Sequence, residues 1–237
     1  MWVPFSVLGV SVVCAAWLIA EGFVAGRRAE RTVTVKGLAE RDVEADLALW
    51  SISFVATGDD LSRVQQQLEY DEASVRSFLS RRNMVGDAVS TQALEVTDRH
   101  AQTYGSGPVT SRYIVRKTLL VRTSDVDAVV DASQHLDELL REGVVLGSDR
   151  GPMESRPAFL FTRLGDIKPA MLREATHSAR TAAEQFSADS ETRVGTLLEA
   201  QQGLFQILAR DDAPQLMEAH QRSKTVRVVS TLTFALE

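Results

Sequence analysis

The sequence predicts strands covered by amphipathic helices, in the order strand, helix, strand, the whole preceded by one transmembrane helix. Three observations predict it. Strand-period apolar residues fill the stretch from Arg31 to Thr57 and return from Thr225 to Leu236. Helix-period stripes lie between them, through Leu61, Val64, Leu68 and Val75, through Val126, Val129 and Leu136, and through Met171, Ala175 and Ala179. The order strand, helix, strand also occurs twice along the chain.

In chain order, Trp2 to Ala20 is an uncharged, mostly apolar run. At about 1.5 Å per residue it crosses most of a hydrocarbon core of about 30 Å. Residues 1–26 therefore read as a membrane anchor or uncleaved signal, and residues 27–237 as one further domain. A cleaved signal peptide is the competing reading; Val24-Ala25-Gly26 offers a small-residue exit, but a basic leading region is missing. Arg27, Arg28 and Arg31 follow the apolar run, and the positive-inside rule taken alone places the domain in the cytoplasm. Cys14, the one cysteine, excludes an intramolecular disulfide framework and a cysteine-based zinc site. Val13 before it argues against lipid attachment.

The stretch Arg31 to Thr57 reads as a strand pair. Val33 and Val35 alternate with polar residues, Glu40 to Asp46 interrupts, and Leu47 to Val55 is apolar on both faces, as expected of a strand buried on both sides. Gly58-Asp59-Asp60 forms a turn and cap for a helix through Leu61, Val64, Leu68, Val75, Phe78 and Leu79, with Asp71 at the edge of its buried face. Asn83 to Gly86 end that helix, Ala88 to Thr97 form a strand, and His100 to Thr110 an exposed loop. Arg112 to Thr123 is a strand. Ser124 and Asp127 start a helix carrying Val126 to Leu140, which Gly143 closes. Val144 to Leu146 and Pro157 to Arg163 are strands. Asp166 caps a helix with Pro169 in its first turn and a stripe from Met171 to Phe186. Thr192 to Leu198 and Thr225 to Leu236 close the fold, and Arg210 to Ser223 is a polar surface excursion.

Composition excludes more than it assigns. A net charge of −6 and a pI near 5.3, with no concentrated basic face, argue against nucleic acid as a partner. His100, His135, His177 and His220 lack ligand spacing, and no GxSxG motif occurs. Asp211-Asp212 before Pro214 reads as a solvated turn rather than a cation site. Arg112, Arg116 and Arg122 share strand parity, with Lys117 among them; this basic stripe reads as a solvated face or subunit contact rather than an anion site. No catalytic, cofactor-binding or metal-binding residue is assigned, and no cofactor is expected.

With these elements placed, the sequence resembles the SIMPL-domain family of bacterial envelope proteins, in the subgroup with an N-terminal membrane anchor. The residues carrying the resemblance are Val33 to Trp50, with Ala45-Asp46 at the family's usual Pro-Asp bend; Tyr113 to Val121; Glu142-Gly143-Val144; and Lys168 to Leu204. The last block holds the alanine-spaced helix, Ser190, Val194-Gly195 and Gln202-Gly203-Leu204. The resemblance implies an α+β fold of two similar strand-helix-strand subdomains whose sheets, antiparallel or mixed, are covered by helices, together with a periplasmic location, ring-like homo-oligomers and a role in envelope or oxidative-stress tolerance. It brings no catalytic residues. The expectation is a non-enzymatic, single-pass inner-membrane protein, held through Trp2 to Ala20, that assembles with copies of itself. The alternative is a periplasmic enzyme or small-ligand binder whose site forms between subunits, where residues such as Tyr104, Arg112 and His177 meet.

Overall fold

A computed structural model describes residues 31–101, 111–147, 156–214 and 216–237. The expected anchor Trp2 to Ala20, most of the loop His100 to Thr110 including Tyr104, and the expected turn Gly147 to Gly151 beyond its first residue lie outside them. Among the described residues no helix is long and apolar enough to cross a membrane.

The elements are β1 (Thr32–Glu44), β2 (Leu47–Gly58), α1 (Leu61–Ser80), β3 (Val89–Asp98), β4 (Tyr113–Thr123), α2 (Val126–Gln134), α3 (Asp137–Arg141), β5 (Ala158–Leu160), α4 (Leu164–Asp189), β6 (Val194–Gln202), β7 (Gln206–Ala209) and β8 (Ser223–Leu236). They form an α+β fold with two antiparallel sheets. One has the order β1-β8-β6 with β7 also on β8; the other has the order β3-β4-β2-β5. The expected strand pair is thus corrected: β1 and β2 follow each other in sequence but belong to different sheets. β1 also runs straight through the charged stretch that looked like an interruption.

The chain divides into two compact units. One comprises Met1–Ala39, Ala170–Leu204 and Val228–Glu237, the other Glu40–Pro169 and Phe205–Arg227. In the first, the sheet face formed by Val35, Leu232 and Phe234 packs on Ala179 and Ala183 of α4. Small side chains alone do not explain how close this helix lies. Gly37 does: a Cβ there would stand 1.9 Å from the Ala175 carbonyl oxygen and 2.5 Å from the Ala179 nitrogen. The alanine stripe of α4 and the bare backbone of β1 are two halves of one contact. Phe186, expected on that stripe, is exposed.

In the second unit, Ala48, Trp50, Ile52, Phe54 and Ala56 of β2 pack against Val64, Leu68, Val75, Phe78 and Leu79 of α1. Burial along β2 alternates between buried and half-buried, so one face is core and the other partly open, not buried on both sides as expected. Asp60 caps α1, its carboxylate accepting from the Arg63 nitrogen at 2.9 Å, as the sequence predicts. Leu61, expected on the packed stripe, lies exposed. The single helix expected from Val126 to Leu140 is broken at His135, whose φ of −113° and ψ of 28° leave the helical region. Gly143, at φ 86°, ends α3 and lets Val144 donate to the Leu139 carbonyl. The expected strand at Val144 to Leu146 is reduced to a single bridge, Phe54 to Leu146.

α4 begins at Leu164, before the expected cap Asp166, so Pro169 lies inside the helix rather than in its first turn. β6 extends past Leu198 to Gln202, and β7, four residues long, was not foreseen.

Candidate functional site

Three features stand out from the packing: two open strand edges, a ladder of ion pairs, and a loop braced by a buried lysine. β3 is the outer strand of its sheet. Leu94 and Val96 pair with Lys117 and Val115, and Lys117 reaches Glu72 of α1, so both apolar residues lie on the helix-covered face. They nevertheless remain 58% and 56% exposed. β6 is likewise outermost beside β8, with Leu197 and Leu198 exposed and Leu204, just beyond it, 87% exposed. Neither strand contains lysine or proline, the usual guards of an edge. The acids of β3 are neutralised across the ladder, Asp98 by Arg112 at 2.9 Å and Glu95 by Arg116 at 3.5 Å. What interrupts these edges is irregular register, at Gln92 in β3 and at two points in β6.

The expected basic stripe is therefore not a cationic surface: Arg112 and Arg116 face carboxylates of β3, and Arg122 is exposed.

The charged stretch of β1 has its partners on β7, β8 and the segments beside them. Glu40 pairs with Arg227, Asp42 with Arg210 at 3.8 Å and with the Thr225 hydroxyl at 2.7 Å, and Glu44 with Arg222 at 3.2 Å. Arg222 also holds Asp127 of α2. At the bend between β1 and β2, Asp46 accepts from the nitrogen and hydroxyl of Thr162, both at 2.9 Å, and from the nitrogen and Nε of Arg163 at 3.2 and 3.1 Å. Desolvation opposes ionisation there, but these four bonds outweigh it and hold the carboxyl below its ordinary range. The bend residue is a latch onto the chain that follows β5. Around it lies an open cleft of about 530 Å³, lined by paired charges that include Glu44, Asp46, Asp127, Arg163 and Arg222.

Asp71 is corrected by the structure: it is 2% exposed, in the core rather than at its edge. Burial raises its pKa, partly offset by Gln67, whose Nε2 donates to it at 2.8 Å. Lys224 was missed altogether. It is 0% exposed, and its Nζ donates to the Glu218 carbonyl at 2.7 Å and to the Glu218 carboxylate. Gln221 ties the same loop across its base: its Oε1 accepts from the Asp211 nitrogen at 3.0 Å, and its Nε2 donates to the Asp211 and Leu216 carbonyls at 2.8 and 3.1 Å. The polar excursion is thus a fixed loop. Only its short spacing between Asp211, Glu218, Gln221 and Lys224 could have signalled this.

The histidines are scattered. His100 and His177 are exposed, His135 ends α2, and His220 places Nδ1 2.8 Å from the Pro157 carbonyl. Among the described residues no three His, Cys, Asp or Glu side chains are grouped to hold a metal ion. Arg112 is engaged by Asp98, and His177 is exposed on α4; Tyr104 lies outside the described residues.

Among the described residues these observations define a class: a two-sheet α+β protein whose charges along β1, β3 and the Asp46 bend are paired with one another and whose outer strands β3 and β6 carry exposed apolar residues. The chain belongs to the SIMPL family, described as proteins of unknown function (DUF541), whose family model matches residues 33–234. That span runs from the start of β1 almost to the end of β8. No curated protein matches the chain.

Proposed function

We propose that this chain is a non-enzymatic, membrane-anchored member of the SIMPL family that assembles with copies of itself, as a ring-like scaffold on the periplasmic side of the inner membrane. Its role on this reading is in envelope or oxidative-stress tolerance. The observation that supports assembly is the pair of open edges on β3 and β6, long, free of lysine and proline, and flanked by exposed Leu94, Val96, Leu197 and Leu198. Such edges pair with other chains unless guarded. Joining one kind of edge to another gives a heterologous contact, which either closes into a ring or propagates as a filament. Anchoring every subunit in one plane through Trp2 to Ala20 favours closure.

The test is the mass of the complex extracted in mild detergent, compared with that of protein lacking residues 1–26. A large uniform assembly in both is the expected result, and monomers in both would refute the reading. Leu94→Lys with Val96→Lys places charge on the edge and should reduce the assembly to smaller species while leaving the unfolding midpoint of the subunit nearly unchanged.

A further inference from the structure

The loop braced by Lys224 and Gln221 does more than cover a strand. Together with α2 and the start of β5 it encloses a groove of about 260 Å³. Its apolar wall is Val130, Pro157, Phe159 and Met217; its polar atoms come from Ser133, Arg156, His220 and Gln221. Two of these four are already committed, since Ser133 Oγ donates to the Val130 carbonyl at 2.8 Å and the Gln221 amide holds the loop. Of the other two, His220 is committed on one side of its ring only, and Arg156 has no carboxylate partner among the described residues. His220 is oriented by its Nδ1 contact to the Pro157 carbonyl, which makes Nδ1–H the donor there and leaves Nε2 for another partner. Arg156 carries a fixed charge, and no carboxylate stands among the described residues lining the groove.

That last point sets this groove apart from the charged cleft around Asp46. The chain has a net charge of −6, and Arg112, Arg163 and Arg222 each face an acid. Here one guanidinium and one imidazole face an apolar wall, and none of the described residues lining it is an acid. We propose that the groove binds a small amphipathic carboxylate, the carboxylate taken by the Arg156 guanidinium beside the His220 ring, the apolar chain lying on Phe159, Val130 and Met217. A planar guanidinium suits the fork of a carboxylate. The apolar wall disfavours a fully hydrated dianion such as phosphate. The volume lies below the roughly 300–1,000 Å³ of pockets for drug-sized ligands, so the ligand is short. The inference is independent of the scaffold reading, because every residue it uses lies within one chain.

Hexanoate is the probe, titrated against the full chain in lipid nanodiscs and followed by saturation-transfer NMR with empty nanodiscs subtracted. Hexanol tests the tail alone and inorganic phosphate the anion alone. Gly-Gly-Leu, with a free or an amidated carboxyl end, separates a peptide terminus from a free acid as the source of the carboxylate. Hexanoate should bind at least tenfold more tightly than hexanol or phosphate. Arg156→Gln should weaken it about tenfold, in line with the loss of one charge-assisted hydrogen bond. Met217→Glu should abolish it. Both side chains are exposed, so both variants keep the fold, which far-ultraviolet circular dichroism checks. Equal binding of hexanol and hexanoate, equal binding of phosphate, or an Arg156→Gln protein that binds as well as the parent would each overturn the proposal. Preference for the free-ended peptide over hexanoate would assign the groove to a chain terminus; the reverse would assign it to a free acid.

Discussion

Gly37→Ala is the most demanding test of how the first unit is packed. The added methyl carbon would sit 1.9 Å from the Ala175 carbonyl oxygen, 2.5 Å from the Ala179 nitrogen and 2.8 Å from the Ala179 Cβ. A carbon tolerates an oxygen at about 3.3 Å or more, so α4 has to retreat by more than about 1 Å. No rotamer change can relieve contacts made by backbone atoms. Retreat in turn loosens Met171, Ala175, Ala179 and Ala183, all fully buried against the sheet side of the helix. Overpacking commonly destabilises by about 1–3 kcal/mol, and a backbone clash belongs at the upper end, about 3 kcal/mol. In urea this lowers the midpoint of the transition reporting this unit by about 1–3 M. Two controls sharpen the test. Gly195→Ala meets only the Glu237 side chain and should stay within about 0.5 kcal/mol of the parent. Ala179→Gly added to Gly37→Ala removes the Cβ contact but not the Ala175 oxygen, so it should restore less than half of the loss. An unchanged midpoint for Gly37→Ala would refute the account of helix and strand as two halves of one contact.

Three further outcomes follow from the packing and the charges. Phe234→Ala empties a site 1% exposed between α4 and the sheet and should cost about 3–5 kcal/mol in equilibrium unfolding; a neutral result would mean that the strand register is wrong. Asp46 has a depressed folded pKa, so its contribution is complete above the unfolded value of about 3.9 and is lost as pH falls through the folded one. Asp46→Asn should therefore lower stability at neutral pH and flatten the acid limb of the stability curve, which thermal melts across pH would show. Asp71 has the opposite sign: its raised folded pKa adds stability below the unfolded value that is lost as pH rises through the folded one. Asp71→Asn should then be more stable than the parent at neutral pH and lose that advantage in acid; a variant less stable at neutral pH would show that the ionised carboxylate has a partner worth more than its burial.

The periods of the sequence were a good guide to elements and a poor one to partners. Val35, Val228, Leu232 and Phe234 were legible as core because alternation records which face is dry. Alternation does not record which strand lies alongside, so β1 looked like the mate of β2 when its ladder is with β8. The acids of β1 read as a break for the same reason: Arg210, Arg222 and Arg227, which neutralise them, stand far along the chain. Stripe ends such as Leu61 and Phe186 were over-read, since a helix can outrun the sheet it covers. The groove was not legible at all. Its wall comes from α2, the start of β5 and a loop read only as polar surface, and Lys224, which helps to fix that loop, looks in sequence like an ordinary solvent-facing lysine at the head of a strand.

The pairing of β1 with β8 also sets an order of events on the ribosome. Thr34 and Thr233 exchange a hydrogen bond at 3.0 Å across 199 positions. β1 is translated early, yet the neighbour that satisfies its backbone is made nearly two hundred residues later, after α4 and β6. The second unit draws most of its core from an unbroken run, Glu40–Pro169, which can collapse while translation continues. The first unit has to wait for β8, with Val33 and Val35 exposed meanwhile on a strand that has no mate. Closing so long a loop is slow, and a chain in that interval is open to pairing with its neighbours.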